Sequence, residues 1–418
     1  MNVLDWLFGL LVLVITVFAL AGAARRFGFK VVPLFTLLVL ITLSGLLLSH
    51  PQSFLFLPSD GLYYADWGER IAEMWAGNGV IDKPLWPGRG ALPLLIGILE
   101  FTLGAHTFSI IAISSVATTF TYLLLKLSAR VAFGPQRLDW LSMLLFITGL
   151  PIVLYGGGIS REPYFWLGAT LTVLAVALYS KGYIPQSLGV FLAGGTLLLA
   201  IRSDLGLAIV WAVLGAVALF HLVSGMQEKN VRTVLQSMVA LAILLLSGLS
   251  LLDTVRSDWT PQQIEGAAMD LSRPEVNTAI ERREVTKPDT WCESGVPEKL
   301  ICEVHNNLPA VLVGPFPGEI FSGPAFIAIS LGTGHFLLVG SLALLAFRWV
   351  PPESHIVFAV LTVTGAATLF IIAALLTNYG IIMRFRAISE IFFFPLALLA
   401  LENLFRRRRR NFQAISST

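Results

Sequence analysis

Residues 31–49 run for nineteen positions without one charged side chain. A bilayer core is crossed by about 20 apolar residues in helical form. Runs approaching that length recur along the whole chain, each bounded by charged or turn-forming residues. Lipid offers no partner to a free backbone N–H or C=O, so runs of this kind must fold as helices. Composition closes the argument. With 56% hydrophobic and 13% charged residues over 418 positions, too little charged surface is left for a water-soluble domain. The chain reads as an all-α polytopic membrane protein.

Eleven transmembrane helices are expected, at about 3–24, 31–49, 107–128, 138–156, 163–180, 185–201, 205–223, 233–252, 322–347, 354–377 and 387–404. Residues 91–104 are apolar but short, and contain Pro93, Gly97, Glu100 and Gly104. They are expected to form a juxtamembrane or re-entrant helix. Basic residues then set the orientation. Arg25/Arg26/Lys30, Arg130/Arg137, Lys181, Lys229/Arg232, Arg348 and Arg406–Arg410 all fall on one side of the alternating spans. That side is expected to be cytoplasmic, with the N-terminus outside. The first run carries Asp5, lacks a basic leader and is read as a retained helix of a multi-pass plasma (inner) membrane protein.

The opposite face collects the stretch 59–89, Arg161-Glu162, Arg202-Ser203-Asp204, the polar region 253–321 and Arg384/Arg386. Ionisable residues at a membrane boundary are costly unless they serve a function, so this face is the expected site. In 59–89, Tyr64, Trp67, Ile71 and Met74/Trp75 form one helical face, and Gly77-Asn78-Gly79 stops the helix. Tyr and Trp on such a face suit the bilayer–water interface. The expectation is a surface-lying helix with Asp60 at its start.

Four parts follow from this reading. Residues 1–252 form an N-terminal transmembrane module whose external loop, 50–106, carries the juxtamembrane helices. Residues 253–321 form an extracytoplasmic loop with twelve acidic and six basic side chains. Residues 322–405 are C-terminal spans, and 406–418 a cytoplasmic basic tail. Cys292 and Cys302, the chain's two cysteines, both fall in the external loop. An oxidising face there favours a disulfide over two free thiols.

The string Asp60-Gly61-Leu62-Tyr63-Tyr64-Ala65 resembles the first external loop of the GT-C glycosyltransferases, membrane enzymes that use polyprenyl-phosphate sugars. Pro84, Pro87 and Pro93, followed by a short apolar run to Gly104, are similar to that family's juxtamembrane pattern. So are the basic, Phe-Gly-terminated turn at 121–134, the acid Glu162 after GGGISR, and the basic turn from Asn378 to Arg386. An extra N-terminal span accounts for the acid following the second helix rather than the first. The resemblance implies a GT-C-like fold and an external active site that transfers a sugar from a polyprenyl-phosphate donor to a glycan or lipid-linked acceptor.

That chemistry needs a carboxylate to take the acceptor hydroxyl's proton and cations to stabilise the leaving phosphate. Asp60 is the candidate base, or else a helix cap. Asp66 is the fallback, on a face expected to be solvated. Glu162 is the second candidate acid, orienting acceptor or holding a divalent cation (Mg or Mn), or else a surface partner of Arg161. Arg384, Arg386, Lys83 and Arg89 are candidate donor-phosphate ligands, with lipid headgroups as the alternative. Tyr64, Arg161, Arg202, Asp204 and Glu319 are candidate cavity residues. No Gly-rich nucleotide loop, metalloprotease helix or nucleophile elbow is present, and no feature calls for nucleic acid. Two alternatives stay open. One is a polysaccharide polymerase or ligase acting on pyrophosphate-linked oligosaccharide. The other is a transporter or flippase, which would place charges at mid-membrane depth.

Overall fold

The computed structural model describes residues 3–48, 60–79, 90–257, 296–314, 323–375 and 379–416. Among these, fifteen α-helices and no strand are found. They are α1 (Val3–Phe27), α2 (Val31–Leu48), α3 (Asp60–Trp75), α4 (Ala91–Leu103), α5 (Thr107–Phe133), α6 (Asp139–Ile147), α7 (Leu150–Tyr155) and α8 (Glu162–Ser180). Then come α9 (Ile184–Ile201), α10 (Ser203–Gln227), α11 (Val231–Ser257), α12 (Val296–Val313), α13 (Gly323–Ala346), α14 (His355–Leu375) and α15 (Tyr379–Ser416).

Nine of the described helices are long and apolar enough to cross a membrane: α1, α2, α5, α8, α9, α10, α13, α14 and α15. The expected span at 138–156 is not continuous. It breaks at Thr148-Gly149 into α6 and α7, with a proline in the first turn of α7. The expected span at 233–252 lies within α11, a single helix of 27 residues. The last span and the basic tail are likewise one helix, α15, which runs without a break past the boundary expected at 405.

Burial sorts the spans into a centre and a rim. The apolar windows of α5 and α15 are 78% buried and that of α8 is 72% buried, against 22% for α1 and 28% for α10. Small polar residues let α5 pack closely at this centre. The hydroxyls of Ser115, Thr119 and Thr121 donate to carbonyls one turn back. Thr118 donates across to the Gly156 carbonyl at 2.7 Å. The N-terminus of α5 is capped from another helix. Buried Asp5 of α1 accepts the Phe108 and Ser109 amides, each at 2.9 Å. A carboxylate there answers both the orphan donors and the positive end of the helix dipole.

The two ends of the bundle differ as the charge pattern expects. At one end Arg130 stacks over Phe29, Ser354 donates to the Ala132 carbonyl, and Glu402 receives the Arg137 amide and Arg406. Lys126 and Asp139 form a buried ion pair near this end. The basic loops 25–30, 130–137 and 348–354 and the start of the arginine tail therefore gather together.

At the other end the apolar face of α3 is covered by protein. Tyr64, Trp67 and Ile71 are 3%, 7% and 0% exposed, and the helix packs against α4. Gly68 and Gly97 mark the crossing. A Cβ at Gly97 would sit 2.6 Å from Ile71, and one at Gly68 would press on Ile96. The amphipathic face is real, but protein covers it. Only Trp75 at its end stays exposed, edge-on to Phe101. Within the region 253–321, residues up to Ser257 continue α11. Residues 296–313 are helical and pack on α14, with buried Asn307 donating to the Ala373 carbonyl at 2.8 Å.

Candidate functional site

A small, open-sided cleft with room for about one water molecule lies at this second end. Two helix junctions and one continuous helix build it. The start of α8 contributes Arg161, Glu162, Phe165 and Trp166, the α9–α10 break contributes Ile201 and Arg202, and α15 contributes Phe385 and Ile388.

Local sequence explains each junction. Pro163 sits in the first turn of α8, where its missing N–H costs nothing, and Arg161 takes the N-cap position. Arg202 ends α9 and opens α10 in one extended residue, φ −158° and ψ 93°. Two helix N-termini thus face the cleft, each with an arginine at its cap. Anions are favoured at such ends by the free N–H groups and the helix dipole.

Each guanidinium is held by a ring. Arg161 lies 5.0 Å over Tyr64 of α3, and Arg202 lies 4.5 Å over Phe385 of α15. Arg161 Nη1 is buried and has no hydrogen-bond partner among the described residues. A buried, unanswered donor is expensive in a folded protein unless a ligand completes it.

Four sequence candidates are therefore brought together: Tyr64, Arg161, Glu162 and Arg202. Asp60 opens α3, one turn before Tyr64, and Asp204 lies in the first turn of α10. Arg384 belongs to α15 and Cys302 to α12. For these four the helix position is described and the side chain is not. Lys83, Arg89, Glu319 and Cys292 lie outside the described residues, so the expected disulfide does too. Asp66 is exposed and pairs with Arg70 one turn on, at 3.1 Å, which fits a solvated face.

Arg386 is corrected. It is 2% exposed and turns away from the cleft. Its Nε donates to the Val311 carbonyl, its Nη2 to Ala310 and Gly314, and its Nη1 to the Thr333 hydroxyl. Arg386 thus caps the C-terminus of α12 against α13, where carbonyls lack intrahelical partners. An external phosphate ligand is not its place.

Phe385, Ile388, Phe165 and Trp166 were not foreseen as walls. The aromatic between Arg384 and Arg386 was the available signal for Phe385. As to metal, no three described His, Cys, Asp or Glu side chains group together. Glu162 is the cleft's one described carboxylate and stands beside two guanidiniums. That set suits an anion, and a divalent cation (Mg or Mn) would need oxygen ligands beyond it. Comparison of the chain with protein-family models, with curated proteins and with solved structures finds no match.

Proposed function

We propose that the protein is an integral-membrane glycosyltransferase whose cleft receives the phosphate of a polyprenyl-phosphate sugar. The sugar passes to a glycan or lipid-linked acceptor at the external membrane face. The observation that carries the reading is the convergence of Arg161 and Arg202 on one apolar-walled cleft. Each stands at a helix N-terminus, and one holds an unanswered buried donor. Planar guanidinium groups match phosphate oxygens. With Arg386 engaged by α12, donor phosphate falls to Arg161 and Arg202, with Arg384, Lys83 and Arg89 as further candidates.

In this mechanism Asp60 takes the proton of the acceptor hydroxyl. The freed oxygen attacks the anomeric carbon from the side opposite the phosphate. The carbon–phosphate-oxygen bond breaks, the polyprenyl phosphate leaves with the electron pair, and the anomeric centre inverts. Arg161 and Arg202 stabilise the charge gained by the leaving group, and Glu162 orients the acceptor. The protein would sit in the plasma (inner) membrane with the arginine tail in the cytoplasm.

The test is sugar transfer by purified protein from a panel of polyprenyl-phosphate sugars. Wild type is compared with Asp60→Asn, Arg161→Gln and Arg202→Gln. Transfer lost in Asp60→Asn and weakened at the donor step in the arginine variants supports the reading. Full activity in Asp60→Asn defeats Asp60 as the base.

A second reading is favoured by one feature, the pair of guanidiniums in one cleft. Two cations suit a diphosphate, as in a polymerase or ligase acting on pyrophosphate-linked oligosaccharide. Transfer from such a donor that survives Asp60→Asn separates the two.

A further inference from the structure

Away from the cleft, two ionisable side chains meet inside the membrane-spanning bundle. His335 of α13 is 8% exposed and Glu390 of α15 is 6% exposed. His335 lies twelve residues past the start of α13 and Glu390 eleven past the start of α15, about 18 Å and 16 Å along their helices, and both fall within apolar spans. Such residues at membrane depth are costly and mark function by default.

The surroundings fix how the imidazole is protonated. His335 Nε2 lies 2.7 Å from the Leu145 carbonyl. At the break between α6 and α7 that carbonyl no longer receives the Gly149 amide, since Thr148 N turns to Leu144 and Gly149 N to Phe146, and it accepts the Thr148 hydroxyl at 3.2 Å besides the imidazole. A carbonyl only accepts, so Nε2 carries a hydrogen in every state. Nδ1 is then the one ring atom that can gain or lose a proton. It lies 3.1 Å from Glu390 Oε2, off the line of a finished hydrogen bond. Gly149 permits this approach, because a Cβ there would sit 3.2 Å from the imidazole Cε1.

Most of the other titratable groups on the packed helices are engaged elsewhere, line the cleft or stand at helix ends. On α15, Arg386 is bound to α12 and Thr333, and Glu402 to Arg406 and the Arg137 amide. On α5, Lys126 pairs with Asp139 and Tyr122 bonds Ser142. On α8, Arg161 and Glu162 line the cleft, Tyr164 bonds Ser114 and Tyr179 bonds His221. Tyr155 ends α7, His355 opens α14, and Glu298, Lys299, Glu303 and His305 lie along α12. Among the described residues no other ion pair or hydrogen bond reaches His335 or Glu390.

We propose that His335 and Glu390 form a proton-binding dyad within the membrane, one shared proton between Nδ1 and the carboxylate fastening α15 to α13 and to the α6–α7 break. With that proton the dyad is neutral overall and Nδ1–H or the carboxyl supplies the missing donor. Without it, a buried carboxylate faces an imidazole lone pair and the fastening is lost. Both ends of this fastening lead to the cleft. Five residues separate Tyr155, the end of α7, from Arg161, and α15 carries the walls Phe385 and Ile388. The proton thus tunes the cleft, whatever reaction the cleft performs.

The test uses full-length protein in nanodiscs with ¹⁵N-labelled histidine, the His335 signals being those absent from His335→Gln. Nε2 is expected to stay protonated while Nδ1 responds to pH. Glu390→Gln, whose amide can always donate to Nδ1, is expected to shift that titration by at least about tenfold in proton concentration. Melting temperature is expected to fall by roughly 5 °C as wild type loses the proton, and to stay level in Glu390→Gln. Amide exchange of residues 385–388, corrected for the intrinsic effect of pH, should speed up in wild type alone. An Nδ1 signal indifferent to pH overturns the dyad, and so does an Nε2 that loses its hydrogen. Equal pH slopes of melting and exchange in the two proteins overturn the fastening. If Glu390→Gln does not fold, the wild-type histidine spectra decide.

Discussion

Arg161 stacks 5.0 Å over the ring of Tyr64, tying the start of α8 to the first turns of α3. This contact sets where one of the cleft's two cations points. A cation over a tyrosine ring contributes about 0.5–2 kcal/mol, rising as the pair is shielded from water. In the proposed transfer reaction, Tyr64→Ala is therefore expected to raise the donor KM roughly twofold to thirtyfold, with a smaller change in kcat. Tyr64→Phe keeps the ring and most of the affinity. Steady-state transfer kinetics on the three proteins check this, and equal KM values would remove Tyr64 as a positioning residue.

Asp5 predicts a stability effect far from the cleft. Its carboxylate answers two amides of α5 and the Ser109 hydroxyl while 2% exposed. Asp5→Ala leaves those groups buried and unanswered, at a cost of about 3 kcal/mol. Asp5→Asn retains one acceptor and should lose about half of that. Thermal unfolding of purified protein reads the series. A melting temperature unchanged in Asp5→Ala would mean that α5 does not depend on α1 for its cap.

These cases show what the sequence could and could not convey. Apolar runs and basic loops reported the spans and their sorting into two ends, because lipid and charge act on each segment separately. The same logic brought Arg161, Glu162 and Arg202 to one end of the bundle, where the structure joins them in one cleft. What covers a helical face is a different question. The spacing of Tyr64, Trp67 and Ile71 defined a stripe, but only packing decides between lipid and α4. Arg384 and Arg386 looked like one cluster, yet a helix places positions two apart on different faces. His335 and Glu390, 55 positions apart, carried no local signal at all. The break at Thr148-Gly149 had one in Gly149 and Pro151, outweighed by the length of the apolar run.

The approach of α2 to the 156–158 turn gives a third prediction. A Cβ at Gly45 or at Gly157 would press into backbone, the Gly157 carbonyl in one case and the Ile41 carbonyl in the other. Backbone cannot yield as a flexible side chain does. Gly157→Ala is expected to destabilise by about 1–3 kcal/mol and to displace the segment leading to Arg161, lowering transfer as well. Gly158→Ala, where a Cβ would find only contacts of 3.9 Å, is the matched control. Melting and transfer measured on both variants separate close approach from a general intolerance of side chains in the glycine run.

Lys126 and Asp139 allow the sharpest test of the buried network at the basic end. Their side chains are 3% and 9% exposed. Lys126 also stands 4.8 Å from the Phe29 ring. Removing one partner leaves the other charge buried without compensation, so Lys126→Met is expected to cost about 3–5 kcal/mol. Removing both charges abolishes that penalty, and Lys126→Met/Asp139→Leu should recover most of the loss. Recovery should stop short of complete, because Asp139 also lies in the first turn of α6, where a carboxylate meets the positive end of the helix. The backbone carbonyl of Asp139 still accepts from Tyr122 in every variant, so that contact drops out of the comparison. Unfolding of wild type, the two single variants and the double variant gives the coupling directly. Strictly additive losses would show that the two charges are stabilised separately, by water or by other groups, and not by each other.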